Sequence, residues 1–173
     1  HPGNLNATRA IVQSVVLYVL RLWVNQPIAM NEGLMERVKV ILPTSLLNPD
    51  FSVLKLPAVV GGNTEVSQRL TDTVLKALGL MACSQGTMNN VLFVNDHFGY
   101  YETICGGTGA GRGFDGTSGV HSHMTNTRIT DPEILELRYP VRLEKFEIRK
   151  GSGGNGKWKG GDGVVREITF NEK

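Results

Sequence analysis

Hydrophobic residues in the first half of the chain recur at the spacing of two amphipathic helices. Residues 7–24 carry a broad apolar stripe made of Ile11, Val12, Val15, Val16, Val19, Leu20 and Trp23. This spacing predicts a helix, which ends at Asn25 and the proline that follows shortly after it. A second helix is predicted to begin at Asn63 or Thr64 and to end at Gly79.

Alternation of apolar and polar residues predicts strands, most of them in the second half. The predicted strands are residues 37–42, 91–94, 99–104, 141–149 and 163–170. The alternation slips at Lys145, and a short buried run is expected at residues 58–60. Asp131-Pro132-Glu133 starts a short third helix that Pro140 ends. The predicted fold class is α+β, with two main helices in the first half and a strand-rich, glycine-loop-rich second half.

The distribution of glycine marks the second half as unusual. The chain has 173 residues, a single-domain length, and 21 glycines, or about 12% against an average near 7%. Six lie in residues 1–98 and fifteen follow. Hydrophobic residues at 40% and charged residues at 20% exclude the disordered and collagenous classes. We therefore expect function to lie where the backbone must make close approaches.

Charge and cysteine content exclude further classes of protein. The formal net charge is +2, so no dense basic surface for nucleic acid is expected. The apolar stretch at residues 10–24 is interrupted by Gln13, Ser14 and Arg21 and is short for a membrane span. Cys83 and Cys105 are too few for a disulfide framework, and free thiols in the cytoplasm are expected.

A predicted strand runs into the glycine-rich segment of residues 100–113. Such a loop can direct backbone N–H groups at an anion. It is not a P-loop, because Gly106-x4-Gly111 is followed by Arg112-Gly113 rather than by Lys-Ser/Thr. The dinucleotide pattern occurs by letter at residues 111–116 and 151–156 without a long helix after it. Contact with an anion or substrate is one interpretation, and a tight turn under neighbouring backbone is the other.

Polar side chains after this loop suggest further chemistry. At strand spacing, His121 and His123 would face one side and could share a metal or substrate, although a hydrogen-bonded structural role is the alternative. Arg128 suits a carboxylate or phosphate, or a salt bridge to a nearby glutamate. The amides of Asn89 and Asn90 either line a polar pocket or satisfy turn backbone. Cys105 is interpreted as a nucleophile or, in preference, a small buried residue.

Several blocks of sequence, in order along nearly the whole chain, resemble the hydantoinase B/5-oxoprolinase family. The opening GNLNATRA (residues 3–10) fits this family. The other blocks are residues 59–69, 82–90 (ACSQGTMNN), 100–111 (YYETICGGTGAG), 119–141 and 151–170. Residues 121–136, HSHMTNTRITDPEILE, are most similar to the ATP-hydrolysing 5-oxoprolinases.

The resemblance implies a cytoplasmic enzyme of glutathione metabolism that opens 5-oxoproline to L-glutamate and hydrolyses ATP. It implies that residues 1–173 are the C-terminal fragment of a hydantoinase-B-like domain, inactive alone. ATP and Mg²⁺ would belong to a hydantoinase-A-like domain or subunit, and a divalent metal to the preceding segment. No metal ligand is therefore assigned to His121 or His123. A homo-oligomer is expected, with no membrane or nucleic-acid partner.

Site residues are assigned from physical reasoning rather than from the resemblance. His123 and Asn126 are predicted to polarise or position the intermediate, and Arg128 to pair with its carboxylate. Gly106, Gly107 and Gly109 are predicted to let backbone approach the anion. Two alternatives remain: a hydantoinase B subunit acting on hydantoin-type cyclic imides, and a non-catalytic assembly module that uses the apolar helix and the C-terminal strands.

Overall fold

The computed structural model describes residues 1–52 and 56–171. Helices and small antiparallel sheets occur together, so the predicted α+β class is confirmed. The chain divides into two compact units, His1–Leu80 and Met81–Lys173. None of the helices in the described residues has the length and hydrophobicity that a membrane span requires.

The first unit contains the two main helices, α1 (Arg9–Val24) and α2 (Glu65–Ala77), which pack against each other. Both were predicted from apolar spacing and are confirmed. Helix α1 ends at Asn25, which adopts the left-handed conformation with φ of 49° and donates its N–H to the carbonyl of Arg21. After α2, Gly79 has φ of +67°, and the N–H groups of Gly79 and Leu80 close back on Lys76 and Leu75 at 3.0 Å each. This is the Schellman termination that a glycine favours.

The buried side of α2 is polar, which its apolar spacing did not suggest. The buried residues are Ser67, Gln68, Thr71, Asp72 and Leu75. The hydroxyl of Thr71 donates to the carbonyl of Ser67 at 2.8 Å, so the helix backbone satisfies part of this face. Val66 and Leu70 instead line an apolar groove of about 510 Å³ together with Leu5 and Leu46.

Two sequence predictions in this unit are wrong. Residues 37–42 form no strand, because extended segments need a partner and none of the described residues pairs with them in a ladder. Residues 58–60 are not a buried run, since Val60 begins a short 3₁₀ turn and is 70% exposed. The carbonyl of Ala58 is nevertheless fixed, because it accepts a hydrogen bond at 2.9 Å from the buried amide of Asn6.

The second unit contains two antiparallel hairpins and one short helix. Strands β1 (Asn90–Val94) and β2 (Gly99–Thr103) pair with Leu92 opposite Tyr101. Strands β3 (Val141–Ile148) and β4 (Val164–Phe170) pair with Phe146 opposite Arg166. The register of this second pair shifts between Leu143 and Lys145, which confirms the slip predicted at Lys145.

Helix α3 (Pro132–Arg138) supplies the centre of the apolar core of this unit. Asp131 caps it by accepting the N–H of Glu133 at 3.0 Å, and proline occupies its first turn, as predicted. Leu135 is fully buried against Tyr100 and Val141. The core continues into partly buried neighbours, namely Phe93, Tyr139 and Ile168.

Truncation of Leu135 should reveal how much stability this core provides. Because the side chain is 0% exposed, we expect Leu135→Ala to lower the free energy of unfolding by about 2–5 kcal/mol. Urea denaturation followed by fluorescence measures the change. Leu137 lies on the same helix and is 82% exposed, so Leu137→Ala is the control and should change stability by less than about 0.5 kcal/mol. Equal losses for the two variants would contradict the assignment of the core.

Candidate functional site

An open cavity of about 680 Å³ lies within the second unit. Its lining comes from residues 83–85 and 89–91, from residues 104–108 of the glycine loop, from the segment joining β3 to β4, and from Val164 and Arg166 of β4. Three amide side chains and two arginines contribute to the lining, and no carboxylate does among the described residues that form it. The cavity is therefore a polar, positively charged recess.

Close backbone packing explains the glycines that border this cavity. A Cβ on Gly107 would lie 2.0 Å from the carbonyl oxygen of Gly161, and one on Gly109 would lie 1.9 Å from that of Ala82. Real Cβ atoms do not approach backbone so closely. The N–H of Gln85 also donates to the carbonyl of Gly107 at 3.1 Å. The glycine loop is thus layered between two other backbone segments, as the second interpretation of its sequence proposed.

Hydrogen bonds within the protein already use part of this loop. The N–H of Gly106 donates to the carbonyl of Val120 at 3.3 Å, and the N–H of Gly109 donates to the hydroxyl of Ser84 at 2.9 Å. Gly106 and Gly107 line the cavity, whereas Gly109 is not part of its lining. The predicted contact of these three glycines with an anion stays a prediction. Gly107 is the best placed for it, because it lines the cavity and the N–H groups of Gly106 and Gly109 already donate within the protein.

An amide cluster forms another part of the cavity lining. Asn89, at φ of +34°, donates from Nδ2 to Oε1 of Gln85 at 3.2 Å and to the carbonyl of Ile104 at 3.4 Å. Asn90 accepts the hydroxyl of Thr103 at 2.9 Å. These asparagines therefore satisfy local backbone and side chains and also line the pocket. Asn89 and Asn90 therefore fit both interpretations of their sequence, the lining of a polar pocket and the satisfaction of local backbone.

A buried ion pair lies at the edge of the cavity, and sequence analysis missed it. Nε of Arg166 lies 2.6 Å from Oε1 of Glu102, and its Nη2 donates to Oε2 at 3.3 Å. The two side chains are 1% and 3% exposed. Tyr100 donates its hydroxyl to the same carboxylate, and desolvation, followed by this bond, raises the pKa of Tyr100.

Part of this cluster could have been found from the sequence. Tyr100 and Glu102 stand two positions apart on a predicted strand, so they share a face. Nothing local points to Arg166, which is 64 residues away from Glu102. Its guanidinium carbon also lies 5.3 Å from the ring centroid of Phe146, its partner across the β3–β4 ladder.

The two histidines do not lie on a strand, so the prediction that their side chains share a strand face is wrong. Residues 121–128 form a turn and loop in which His123 has φ of +55° and the N–H of Thr125 donates to the carbonyl of Ser122 at 3.1 Å. His121 Nε2 lies 3.4 Å from the hydroxyl of Thr127, and burial lowers the pKa of His121. The described residues contain no group of three His, Cys, Asp or Glu side chains that could hold a metal.

The other predicted site residues lie near this turn rather than in the cavity. Asn126 and Arg128 are exposed, and neither they nor His123 belongs to the cavity lining. The turn is tied to the glycine loop, because Val120 and Gly106 exchange backbone hydrogen bonds at 2.9 and 3.3 Å. The roles of His123, Asn126 and Arg128 stay predictions.

Comparison with known proteins establishes the family. The family model described as hydantoinase B/oxoprolinase matches residues 1–173. The chain belongs to this family. It is similar to 5-oxoprolinase of Dictyostelium discoideum, with 55% identity over 169 residues, and to 5-oxoprolinase 1 of Arabidopsis thaliana, with 56% identity over 169 residues. Each alignment covers 97% of this chain and 13% of the relative.

A more distant relative has another name. It is the putative D-/L-hydantoinase B subunit of a Pseudomonas species, which is 33% identical over 150 residues. The alignment covers 81% of this chain and 24% of that protein. The chain thus spans a small part of the length of each of these relatives. Its cavity belongs to one segment of a hydantoinase B/oxoprolinase polypeptide.

Cys105 lines the cavity of this hydantoinase B/oxoprolinase segment together with Cys83. Both cysteines are free thiols. Burial raises the pKa of Cys105, which lowers its thiolate fraction at neutral pH. This favours its interpretation as a small packed residue over that of a nucleophile.

A second glycine cluster, residues 151–163, forms the connection between β3 and β4. Asp162 accepts the N–H groups of Gly151 at 3.0 Å and Gly153 at 2.7 Å. Its own N–H donates to the hydroxyl of Ser118 at 2.8 Å. The bonds from Gly153 and then Gly151 lower the pKa of Asp162, because they stabilise its ionised form.

Replacement of Glu102 should be costly because it leaves the Arg166 charge buried without a counterion. We expect Glu102→Gln to lower the free energy of unfolding by about 3–5 kcal/mol, measured by urea denaturation. The control is Glu144→Gln, which breaks an exposed pair with Arg142 at 3.5 Å and should change stability by less than about 1 kcal/mol. Similar losses in both variants would show that burial of the Glu102 pair is unimportant.

Asp162 should make stability depend on acid pH. Its folded pKa lies below its unfolded pKa, so its contribution is fully present above the ordinary aspartate pKa of about 3.9 and is lost as pH falls through the folded value. The urea midpoint measured from about pH 6 to about pH 3 should fall less steeply in Asp162→Asn than in the parent. Asp96→Asn, an exposed control, should keep the parental slope. The same slope in Asp162→Asn would refute this assignment.

Proposed function

We propose that the protein carrying this chain is an ATP-dependent cyclic amidase of the 5-oxoprolinase type, which opens 5-oxoproline to L-glutamate. The proposal rests on one structural observation, the positively charged cavity beside Gly106 and Gly107. Identities of 55% and 56% to proteins named 5-oxoprolinase support the choice of substrate. The hydantoinase alternative has weaker support, because the relative of that name is 33% identical.

The chemistry requires activation of a stabilised bond. A lactam is an amide, so water alone attacks its carbonyl carbon poorly. Transfer of the γ-phosphoryl group of ATP to the amide oxygen would create a good leaving group. One water would then add to that carbon and the ring C–N bond would break, with the nitrogen taking a proton, which leaves γ-glutamyl phosphate. A second water would attack this acyl phosphate and release phosphate, giving glutamate. ATP and Mg²⁺ are assigned to a hydantoinase-A-like domain or subunit, as the family resemblance implies.

This chain would bind and position the activated ring. The amides of Gln85 and Asn89 and the backbone at Gly107 offer polar contacts around the cavity. His123 and Asn126 are proposed to polarise or position the reacting carbonyl. Their turn is fixed to the glycine loop through Val120 and Gly106, which supports their placement near the same intermediate.

An assembly role is a second candidate function, and the surface of the first unit favours it. The end of α1 exposes Leu22, Trp23 and Val24, and Trp23 is 58% exposed. Large apolar side chains grouped at one helix end are typical of an interface. This role is compatible with catalysis, because the partner would be a hydantoinase-A-like domain or a second copy of the protein. The two free cysteines support a cytoplasmic location.

Turnover of the full-length protein tests the catalytic proposal. Glutamate release from 5-oxoproline with ATP and Mg²⁺ should fall by a factor of at least about 100 in His123→Ala and in Asn126→Ala, the usual effect of losing a polarising group. His97→Ala is the control, since His97 is an exposed turn residue, and it should keep parental turnover. Parental turnover in well-folded His123→Ala and Asn126→Ala would remove their roles, and no glutamate from the parent would remove the function.

A further inference from the structure

Two hydrogen-bond donors in the cavity wall are buried without a protein partner. They are Nε2 of Gln85 and Nη1 of Arg166, and neither has a partner among residues 1–52 and 56–171. Buried donors are almost always paired, and leaving one unpaired costs about 1–3 kcal/mol. Both residues line the same cavity. Two such donors around one recess indicate a site that a ligand completes.

The orientation of Gln85 is fixed by its neighbours. Its Oε1 accepts the amide of Asn89 at 3.2 Å, which leaves Nε2 as the donor that remains. Gly106 packs directly against this side chain, since a Cβ there would lie 1.8 Å from Oε1 of Gln85. The side chain is therefore pre-organised, and binding would cost little rotamer entropy.

The orientation of Arg166 is fixed as well. Glu102 occupies the edge formed by Nε and Nη2, and Phe146 lies against the guanidinium. Nη1 lies outside the pair with Glu102 and keeps its donor capacity. Because Glu102 already balances the charge of Arg166, the additional positive charge of the cavity comes from Arg149, which also lines it.

These features select the chemical class of the ligand. Donors without nearby acceptors favour an acceptor-only group, and the excess positive charge favours an anionic one. We propose that Gln85 and Arg166 bind the carboxylate of a small organic acid in this cavity and that Arg149 attracts it. The site deepens the proposed function and rests on it for the identity of the acid, 5-oxoproline. Arg128, which was predicted to pair with a carboxylate, is not part of the lining of this cavity.

Binding measurements on the full-length protein test this site. The probes are 5-oxoproline and 2-pyrrolidinone, which is the same ring without the carboxylate, and calorimetry gives both affinities. The parent should bind 5-oxoproline at least about tenfold more tightly, the usual effect of a hydrogen bond to a charged group. Gln85→Glu keeps the acceptor for Asn89 but replaces the donor with a negative charge, so it should abolish this preference.

Two further variants separate the site from general effects. Arg149→Gln should weaken the binding of 5-oxoproline but not that of 2-pyrrolidinone. Arg149 is not part of the Glu102–Arg166 pair, so this variant leaves the pair intact. Gln26→Glu adds the same charge at an exposed position in the first unit and should keep parental affinities.

The outcomes distinguish this inference from the proposed function. The site is overturned if the parent shows no preference for 5-oxoproline, or if Gln85→Glu and Arg149→Gln keep the parental preference. If the parent hydrolyses 5-oxoproline but those two variants keep the preference, the binding site is refuted and the proposed function is not. A parent that shows the preference, loses it in Gln85→Glu and releases no glutamate supports the site and refutes the proposed function.

Discussion

The buried pair of Glu102 and Arg166 connects the two hairpins of the second unit. Glu102 lies on β2 and Arg166 on β4, so one ion pair fixes elements that are far apart in sequence. Burial of two charges is expensive, and it is tolerated only when geometry is good and other polar groups help. The two-point contact and the hydroxyl of Tyr100 supply that help. Because Arg166 also lines the cavity, the shape of the site depends on this pair.

The glycines of the second unit allow backbone segments to pack closely because they have no side chain. The loop at residues 106–109 is layered against the backbone at Ala82 and Gly161 at distances that exclude any Cβ. The amide of Gln85 lies directly against this backbone at Gly106. Asp162 fixes the second glycine cluster in a similar way, with one carboxylate bonded to two backbone N–H groups.

Membership in the hydantoinase B/oxoprolinase family gives these features a context. The chain spans 13% of the length of the 5-oxoprolinases it matches, so its cavity corresponds to a small part of those relatives. A recess that is positively charged and provides unpaired donors suits the carboxylate of the proposed substrate. The exposed apolar end of α1 suits contact with the rest of such a protein.

The sequence by itself determined the local elements and the family. Apolar spacing, caps and glycine stops predicted α1, α2 and α3, and alternation predicted four strands with the slip at Lys145. These features depend on interactions within a few residues. Residues 37–42 show the limit of alternation, because a strand needs a partner that the pattern does not name. His121 and His123 show a second limit of the alternation pattern. They lie in a turn in which His123 has φ of +55° and Thr125 is hydrogen-bonded to Ser122.

Only the tertiary structure decided which residues meet in the cavity. Gln85, Gly107, Arg149 and Arg166 come from segments separated by up to about eighty positions, and no local pattern links them. In the sequence, Arg166 is one polar residue in the alternating pattern of β4. Only the tertiary structure shows that its side chain is buried and paired with Glu102. The fold also decided that Nη1 of Arg166 and Nε2 of Gln85 remain without protein partners in the described structure. Pairing and burial are long-range properties, and the site follows from them.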